Sequence, residues 1–113
     1  MIETAPPIAC QLKALEASQR ARQKDLLAVV RGKIRRIVEL KQGFEVELPS
    51  DPESFMEIAE WVNLERRCCA FAAFAIESRS DGSLWVRATG GDGAKDVLAA
   101  EMGFKPGALT KND

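Results

Sequence analysis

The chain has 113 residues, of which 46% are apolar and 29% are charged, and its formal net charge is −1. This composition is typical of a globular protein and argues against a disordered or fibrous one. The length predicts a single domain over residues 1–113 with one buried core. No apolar run is long enough to cross a bilayer, and the first residues lack the features of a secretory signal, so a cytoplasmic protein is expected.

Basic residues are concentrated in one part of the chain. Residues 10–41 carry nine Lys or Arg against three Asp or Glu, whereas residues 42–113 carry seven against thirteen. Such asymmetry can mark a nucleic-acid-binding face. Here the basic residues of the stretch 20–41 alternate with apolar ones, which favours a solvated helix face over a nucleic-acid contact.

The first part of the chain predicts a strand followed by a helix. Ile8, Cys10 and Leu12 recur with the two-residue period of a half-buried strand, although Leu12 could equally open a helix. Ser18 is a plausible N-cap for a helix that extends to about Gly32.

Two hairpins are predicted from alternating apolar and polar residues. The first joins residues 34–41 to residues 44–48 around Gln42-Gly43, and the second joins residues 71–79 to residues 84–89. Hairpins give antiparallel pairs. The sequence therefore predicts an α+β fold, with an antiparallel sheet of four to five strands and two to three helices packed mainly on one face.

Two further helices follow the hairpins in the predicted order. Ser50 or Asp51 caps a helix that runs to about Cys69, and a short helix from Ala94 to Met102 is stopped by Gly103, with Asp92 a candidate N-cap. Residues from about 105 to 113 are expected to fray. The longer helix has an inward stripe at helical spacing, formed by Phe55, Ile58, Ala59, Val62, Arg66 and Cys69.

The end of that helix gathers most of the chemistry in the chain, in the segment Glu65-Arg66-Arg67-Cys68-Cys69-Ala70-Phe71. Glu65 precedes Cys69 by four residues and Cys68 by three, so its carboxyl group is a helical neighbour of both thiols. A carboxylate at the rim of a buried face needs a partner, and Arg66, Arg67 or Arg87 could supply one.

Catalysis by these thiols is disfavoured. The negative end of the helix dipole and the Glu65 carboxylate both oppose formation of a thiolate, and the chain has no histidine to act as a base. The Cys-x-x-Cys spacing of disulfide oxidoreductases is also absent. The sequence therefore favours a protein that is not an enzyme.

Metal binding is the leading functional hypothesis. The three cysteines are an odd number and two of them are adjacent, so reduced thiols are expected rather than disulfides. Cys68 and Cys69, with Cys10 as a third ligand, would suit a soft ion such as zinc, mercury, arsenic or copper. Glu65, Arg66 and Arg67 would then surround the ligands and balance their charge.

The alternative hypothesis is a non-catalytic interaction module that forms homodimers. In that case the three cysteines are packing residues, since a buried cysteine behaves as a small hydrophobic residue. Trp85 lies opposite the inward residues of its strand, where it could face a ligand or cover a dimer interface.

The segment from Leu64 to Phe71, followed by the Ser83–Gly90 strand, resembles a group of small bacterial proteins whose activity is not known. Their shared pattern is Glu-Arg-x-Cys-Cys-Pro-Phe, followed by a strand similar to Leu-Trp-Leu-Arg-Leu-Thr-Gly and a short helix. The matching residues are Glu65, Arg66, Cys68, Cys69 and Phe71, and Cys10 matches an early cysteine. Ala70 replaces the proline of the pattern, so a helix stop is lost. The resemblance implies a domain type and no reaction.

Overall fold

The computed structural model describes residue 9 and residues 11–104 of the chain. A short 3-10 helix, Leu12–Ala14, precedes α1 (Ala17–Lys33). Strands β1 (Arg36–Leu40) and β2 (Gly43–Leu48) form the first hairpin, and β3 (Ala72–Ser78) and β4 (Leu84–Gly90) form the second. The remaining helices are α2 (Pro52–Cys68), which lies between the hairpins, and α3 (Ala94–Met102).

The predicted fold class is confirmed. The four strands form one antiparallel sheet in the order β1-β2-β4-β3, so the two hairpins meet through β2 and β4. Helix α2 packs on β3, α3 packs on β2 and β4, and α1 packs on α2. The main core lies between α2 and the sheet, and its most buried members are Leu26, Val30, Leu48, Ile58, Leu84, Cys68 and Cys69.

Local sequence explains where α2 begins. Asp51 accepts a hydrogen bond from the backbone N–H of Ser54 at 3.1 Å, which satisfies one of the free donors of the first turn. Pro52 occupies the first turn, where its missing N–H costs nothing, and Glu53 lies near the positive end of the dipole. The predicted cap at Asp51 is therefore confirmed.

Removing this cap provides a test of the assignment. Asp51→Ala is expected to lower the free energy of unfolding by about 1 kcal/mol, because a first-turn N–H loses its acceptor. Chemical denaturation measures the change. Asp92→Ala is the matched control, since Gly93 and not the predicted Asp92 is the N-cap of α3, no side chain caps that helix, and Asp92 is exposed. Equal losses in the two variants would contradict the capping role of Asp51.

The predictions for the first part of the chain need correction. Leu12 lies in the 3-10 helix rather than in a strand, while Ile8 and Cys10 lie outside the described residues. Helix α1 begins at Ala17 with Glu16 as its N-cap, so the predicted cap at Ser18 is wrong. Glu16 caps because its side chain and that of Gln19 each bond the other's backbone N–H, which a search for small polar caps overlooks.

The sheet face opposite the helices is closed around Trp85. The guanidinium carbon of Arg79 lies 4.2 Å from the centroid of the Trp85 ring and that of Arg36 lies 5.0 Å from it. The indole N–H donates to Ser83 Oγ at 2.9 Å. As a result Trp85 is only 2% exposed. The sequence suggested that this ring could face a ligand or a dimer partner, but residues of the same chain cover it.

Several cations of the basic stretch 20–41 are paired within the fold. Arg22 binds Glu60 at 2.8 Å, Lys33 binds Glu57 at 2.7 Å, and Arg36 binds Glu47 at 2.7 Å. These contacts hold α1 against α2 and β1 against β2, which gives the basic residues a structural role. Among the helices of the described segment, none has the combination of length and apolar character that a membrane span requires.

Candidate functional site

The two adjacent cysteines lie where α2 ends and the chain turns towards β3. Cys68 is the last residue of the helix, and Cys69 is its C-cap, whose N–H donates to the Glu65 carbonyl at 2.7 Å. Both thiols are reduced and both residues are buried, with exposures of 1% and 0%. The end of α2 therefore places two reduced thiols in the core.

The Glu65 side chain forms a buried hydrogen-bond cluster with three neighbours. Its Oε1 accepts from Gln23 Nε2 and from Trp61 Nε1, each at 3.1 Å, and its Oε2 accepts from Cys69 Sγ at 3.6 Å. Glu65 itself is 1% exposed. We call Gln23, Trp61, Glu65 and Cys69 the Glu65 cluster. The predicted proximity of Glu65 to Cys69 is present, and it takes the form of a thiol–carboxylate contact.

Burial controls the ionisation of Glu65. The loss of water around the carboxylate raises the pKa of Glu65 from 4.5 to about 7, and the negative charge of Glu101 adds to the rise. The hydrogen bonds from Gln23 and Cys69 oppose it, because they stabilise the ionised form. A carboxyl with this pKa exchanges its proton near neutral pH, directly beside a thiol.

Glu101 brings a second carboxyl to the same place from α3. A hydrogen bond with Glu101 favours the protonated form of Glu65, so the two carboxyls interact across the gap between α2 and α3. Both border a small cavity of about 20 Å³ that is otherwise lined by apolar side chains, among them Phe44, Val86 and Met102. This volume accommodates roughly one water molecule.

The segment before the 3-10 helix is attached to the cysteine pair. The backbone N–H of Gln11 donates to the carbonyl of Cys68 at 2.8 Å. Gln11 directly follows Cys10 in the sequence. Cys10, the predicted third ligand of the metal site, lies outside the described residues.

The arginines next to the thiols bond to other groups. Arg66 donates through Nε and Nη2 to Asn63 Oδ1, at 3.1 Å and 2.9 Å, and Arg67 donates to the carbonyl of Ala14 at 3.4 Å. Both residues are exposed. Arg87 lies 3.6 Å from Glu45 on the opposite side of the sheet. The partners of Glu65 are therefore the neutral donors of the Glu65 cluster, where the sequence suggested an arginine.

Sequence reasoning missed three residues of this site. Gln23 is buried and lies three and seven residues before Leu26 and Val30, so it occupies an inward position of α1. A polar residue at such a position signals a buried hydrogen bond. Trp61 lies four residues before Glu65 on α2, a spacing from which their contact could have been predicted. Glu101 comes from α3, and no local pattern connects it to the cysteines.

Within the described part of the chain, no group of three His, Cys, Asp or Glu side chains is arranged to hold a metal ion. What the structure provides is a pair of thiols, one of them bonded to a carboxyl. Such a pair can supply two soft ligands once the thiols lose their protons, and further donors must come from elsewhere.

Comparisons with models of protein families, with curated proteins and with solved structures give no match for this chain. Its function must therefore be argued from the residues of the site itself.

Proposed function

We propose that this protein binds a soft, thiophilic metal or metalloid ion through Cys68 and Cys69, with Cys10 as the third ligand. The observation that carries the proposal is the pair of reduced thiols at the end of α2, one of which donates to a buried carboxyl at 3.6 Å. Three thiolates in a chain without histidine suit zinc, mercury(II), arsenic(III) or copper(I). Reduced thiols also agree with a cytoplasmic location.

The choice of Cys10 rests on its neighbour in the chain. Gln11 is held 2.8 Å from the carbonyl oxygen of Cys68, and this hydrogen bond ties the start of the described segment to the thiol pair. Glu65 Oε2 lies 3.6 Å from the Cys69 sulfur, so once that thiol has lost its proton to bind the ion, a protonated Glu65 orients the thiolate by donating a hydrogen bond to it. Arg66 and Arg67 lie at the surface beside the pair, where they moderate the charge of a thiolate site.

Native mass spectrometry of the reduced protein tests the proposal directly. Retention of one ion per chain is expected on addition of zinc, mercury(II) or arsenite, because three thiolates hold a soft ion more tightly than two. Cys68→Ser and Cys10→Ser are each expected to weaken retention about tenfold or more, as loss of one ligand removes at least the energy of one strong contact.

Two controls separate binding from general thiol reactivity. The double variant Cys68→Ser/Cys69→Ser shows what the chain retains without the thiol pair, and circular dichroism shows whether each serine variant keeps its fold. Retention that is unchanged in both variants, or that no more than matches a simple dithiol such as dithiothreitol, would contradict the proposal.

The alternative function is an interaction module that forms homodimers and uses its cysteines for packing. The burial of Cys68 and Cys69 in the main core agrees with that role. The observation that favours self-association is the edge strand β3, which begins with five consecutive apolar residues and contains one charged residue, Glu77. Its expected signature is a mass that depends on protein concentration and is indifferent to soft ions.

A further inference from the structure

The two edges of the sheet differ in how they are protected against pairing with another chain. An edge strand presents unpaired N–H and C=O groups, and proteins usually guard it with charged residues, proline or bulges. Edge strand β1 carries Arg36 and Glu39 and is flanked by Arg35 and Lys41. Edge strand β3 begins with five consecutive apolar residues, Ala-Ala-Phe-Ala-Ile at residues 72–76.

Strand β3 is also regular along its whole length. All seven of its residues pair with β4 one for one, from Ala72 with Gly90 to Ser78 with Leu84, so no bulge interrupts it. In the described part of the chain its one neighbour in the sheet is β4. The other side of β3 is thus a regular template for a further strand, and Glu77 near its end is the one charged residue within it.

We infer that β3 pairs in antiparallel fashion with β3 of a second copy of the chain, so that two four-stranded sheets join into one of eight strands. The inference is independent of the metal proposal, and it gives the alternative function a defined interface. A twofold axis at Ala75 uses all seven residues of the strand and makes the pairing self-complementary.

This register places suitable side chains opposite one another. Phe74 faces Ile76 of the second copy on the side of the sheet that carries the helices, which is a favourable aromatic and β-branched pair. Ala75 faces Ala75 of the second copy on the other side. The equivalent pairing of β1 about Val38 would place Arg35 opposite Lys41, and this like-charge contact explains why β3 is the edge that associates.

Exposed apolar residues occur both on β3 and on the helix that packs against it. Ile76 on β3 is 37% exposed, and Met56 near the start of α2, the helix that packs on β3, is 70% exposed with Phe55 beside it at 39%. A stable dimer buries roughly 1,200 Å² or more, which one strand pair does not provide. The α2 helices of the two copies must therefore contribute surface next to the joined strands.

The charges of α2 favour that contact. A twofold axis through the β3 pair makes the two α2 helices antiparallel. The first turn of each helix, which carries Glu53, then runs towards the last turn of the other, which carries Arg66 and Arg67. Opposite charges approach at both ends, so the arrangement is electrostatically complementary for a second copy of this chain.

Opposite charges placed on the axis test the inference. Wild-type protein is expected to sediment as a dimer, whereas Ala75→Glu and Ala75→Lys are each expected to weaken self-association by roughly a hundredfold or more, because identical charges face each other. A mixture of the two variants is expected to recover the dimer as a mixed pair. Sedimentation over a wide concentration range measures all three, and circular dichroism confirms folding.

The other edge supplies the matched control. Val38→Lys introduces a charge on β1 opposite Glu45 of the same sheet, and it is expected to leave the dimer intact. A wild-type protein that stays monomeric would overturn the inference, as would a dimer that persists in both Ala75 variants. Loss of the dimer in Val38→Lys with retention in the Ala75 variants would assign association to β1 instead.

Discussion

The free energy of unfolding is expected to fall by up to about 3 kcal/mol as the pH rises from about 5 to about 8, and Glu65→Gln is expected to remove this fall. The cause is the pKa of Glu65, which burial raises from 4.5 to about 7. A difference of that size between the folded and unfolded chains corresponds to about 3 kcal/mol.

The direction of the change follows from which state binds the proton. Below the unfolded pKa of 4.5, Glu65 is protonated in both states and costs nothing. Between 4.5 and about 7 the unfolded chain releases its proton while the folded chain keeps it, so each step up in pH favours unfolding. Above the folded pKa of Glu65 the carboxylate is ionised in both states, so the full free-energy cost of burying it is present and the free energy of unfolding no longer changes with pH.

Urea denaturation of metal-free, reduced protein at several pH values measures this slope. At about pH 8, Glu65→Gln is expected to be more stable than the wild type by roughly 1–3 kcal/mol, because an amide occupies the same volume without a buried charge. Its oxygen can still accept from Gln23 and Trp61. A slope that persists in Glu65→Gln would show that another group causes it.

Two further variants define the origin of the slope. Glu60→Gln is the matched control, because the pKa of Glu60 is lowered by Arg22 and this carboxyl is already ionised in both states above about pH 5. It should leave the slope intact. Glu101→Gln should reduce the slope without removing it, since burial contributes more than the charge of Glu101 to the pKa of Glu65.

Much of the fold could be predicted from local patterns, because hairpins and capped helices depend on residues close in sequence. The alternation predicted a strand over 44–48, and the structure has β2 over Gly43–Leu48. Asp51 and Pro52 likewise predicted the start of α2. The proximity of Glu65 to Cys69 could be predicted for the same reason, since residues four apart on a helix are neighbours.

The rest of the site depends on packing between elements. The inward stripe predicted for α2 included Phe55 and Arg66, both of which are exposed, and it omitted Trp61 and Leu64, which are buried. The helix is covered by α1 on one side and by β3 on the other, so its buried surface is wider than one stripe. The contacts of Glu65 with Gln23 and Glu101 arise from that packing.

The same limit applies to the outer face of the sheet. Alternation along β4 correctly placed Trp85 opposite the inward residues, but it could not show what covers the ring. The cover consists of Arg36 and Arg79, which come from β1 and from the turn after β3. Their contact with Trp85 can be predicted only when the strand order β1-β2-β4-β3 is known.

Trp85→Ala is therefore expected to lower the free energy of unfolding by about 3–5 kcal/mol, the usual cost of removing a buried aromatic side chain. The loss includes the contacts of two guanidinium groups with the ring, each worth roughly 0.5–2 kcal/mol. Denaturation followed by the fluorescence of Trp61, the remaining tryptophan, measures the change.

Trp85→Phe separates the ring from its N–H group. Phenylalanine retains a face on which Arg36 and Arg79 can stack but loses the hydrogen bond to Ser83, so a smaller loss of about 1–2 kcal/mol is expected. Because the chain itself covers Trp85, the difference between variant and wild type should not depend on protein concentration. A loss that vanishes on dilution would mean that a partner covers the ring, and a loss below about 1 kcal/mol would mean that the arginines leave it open to water.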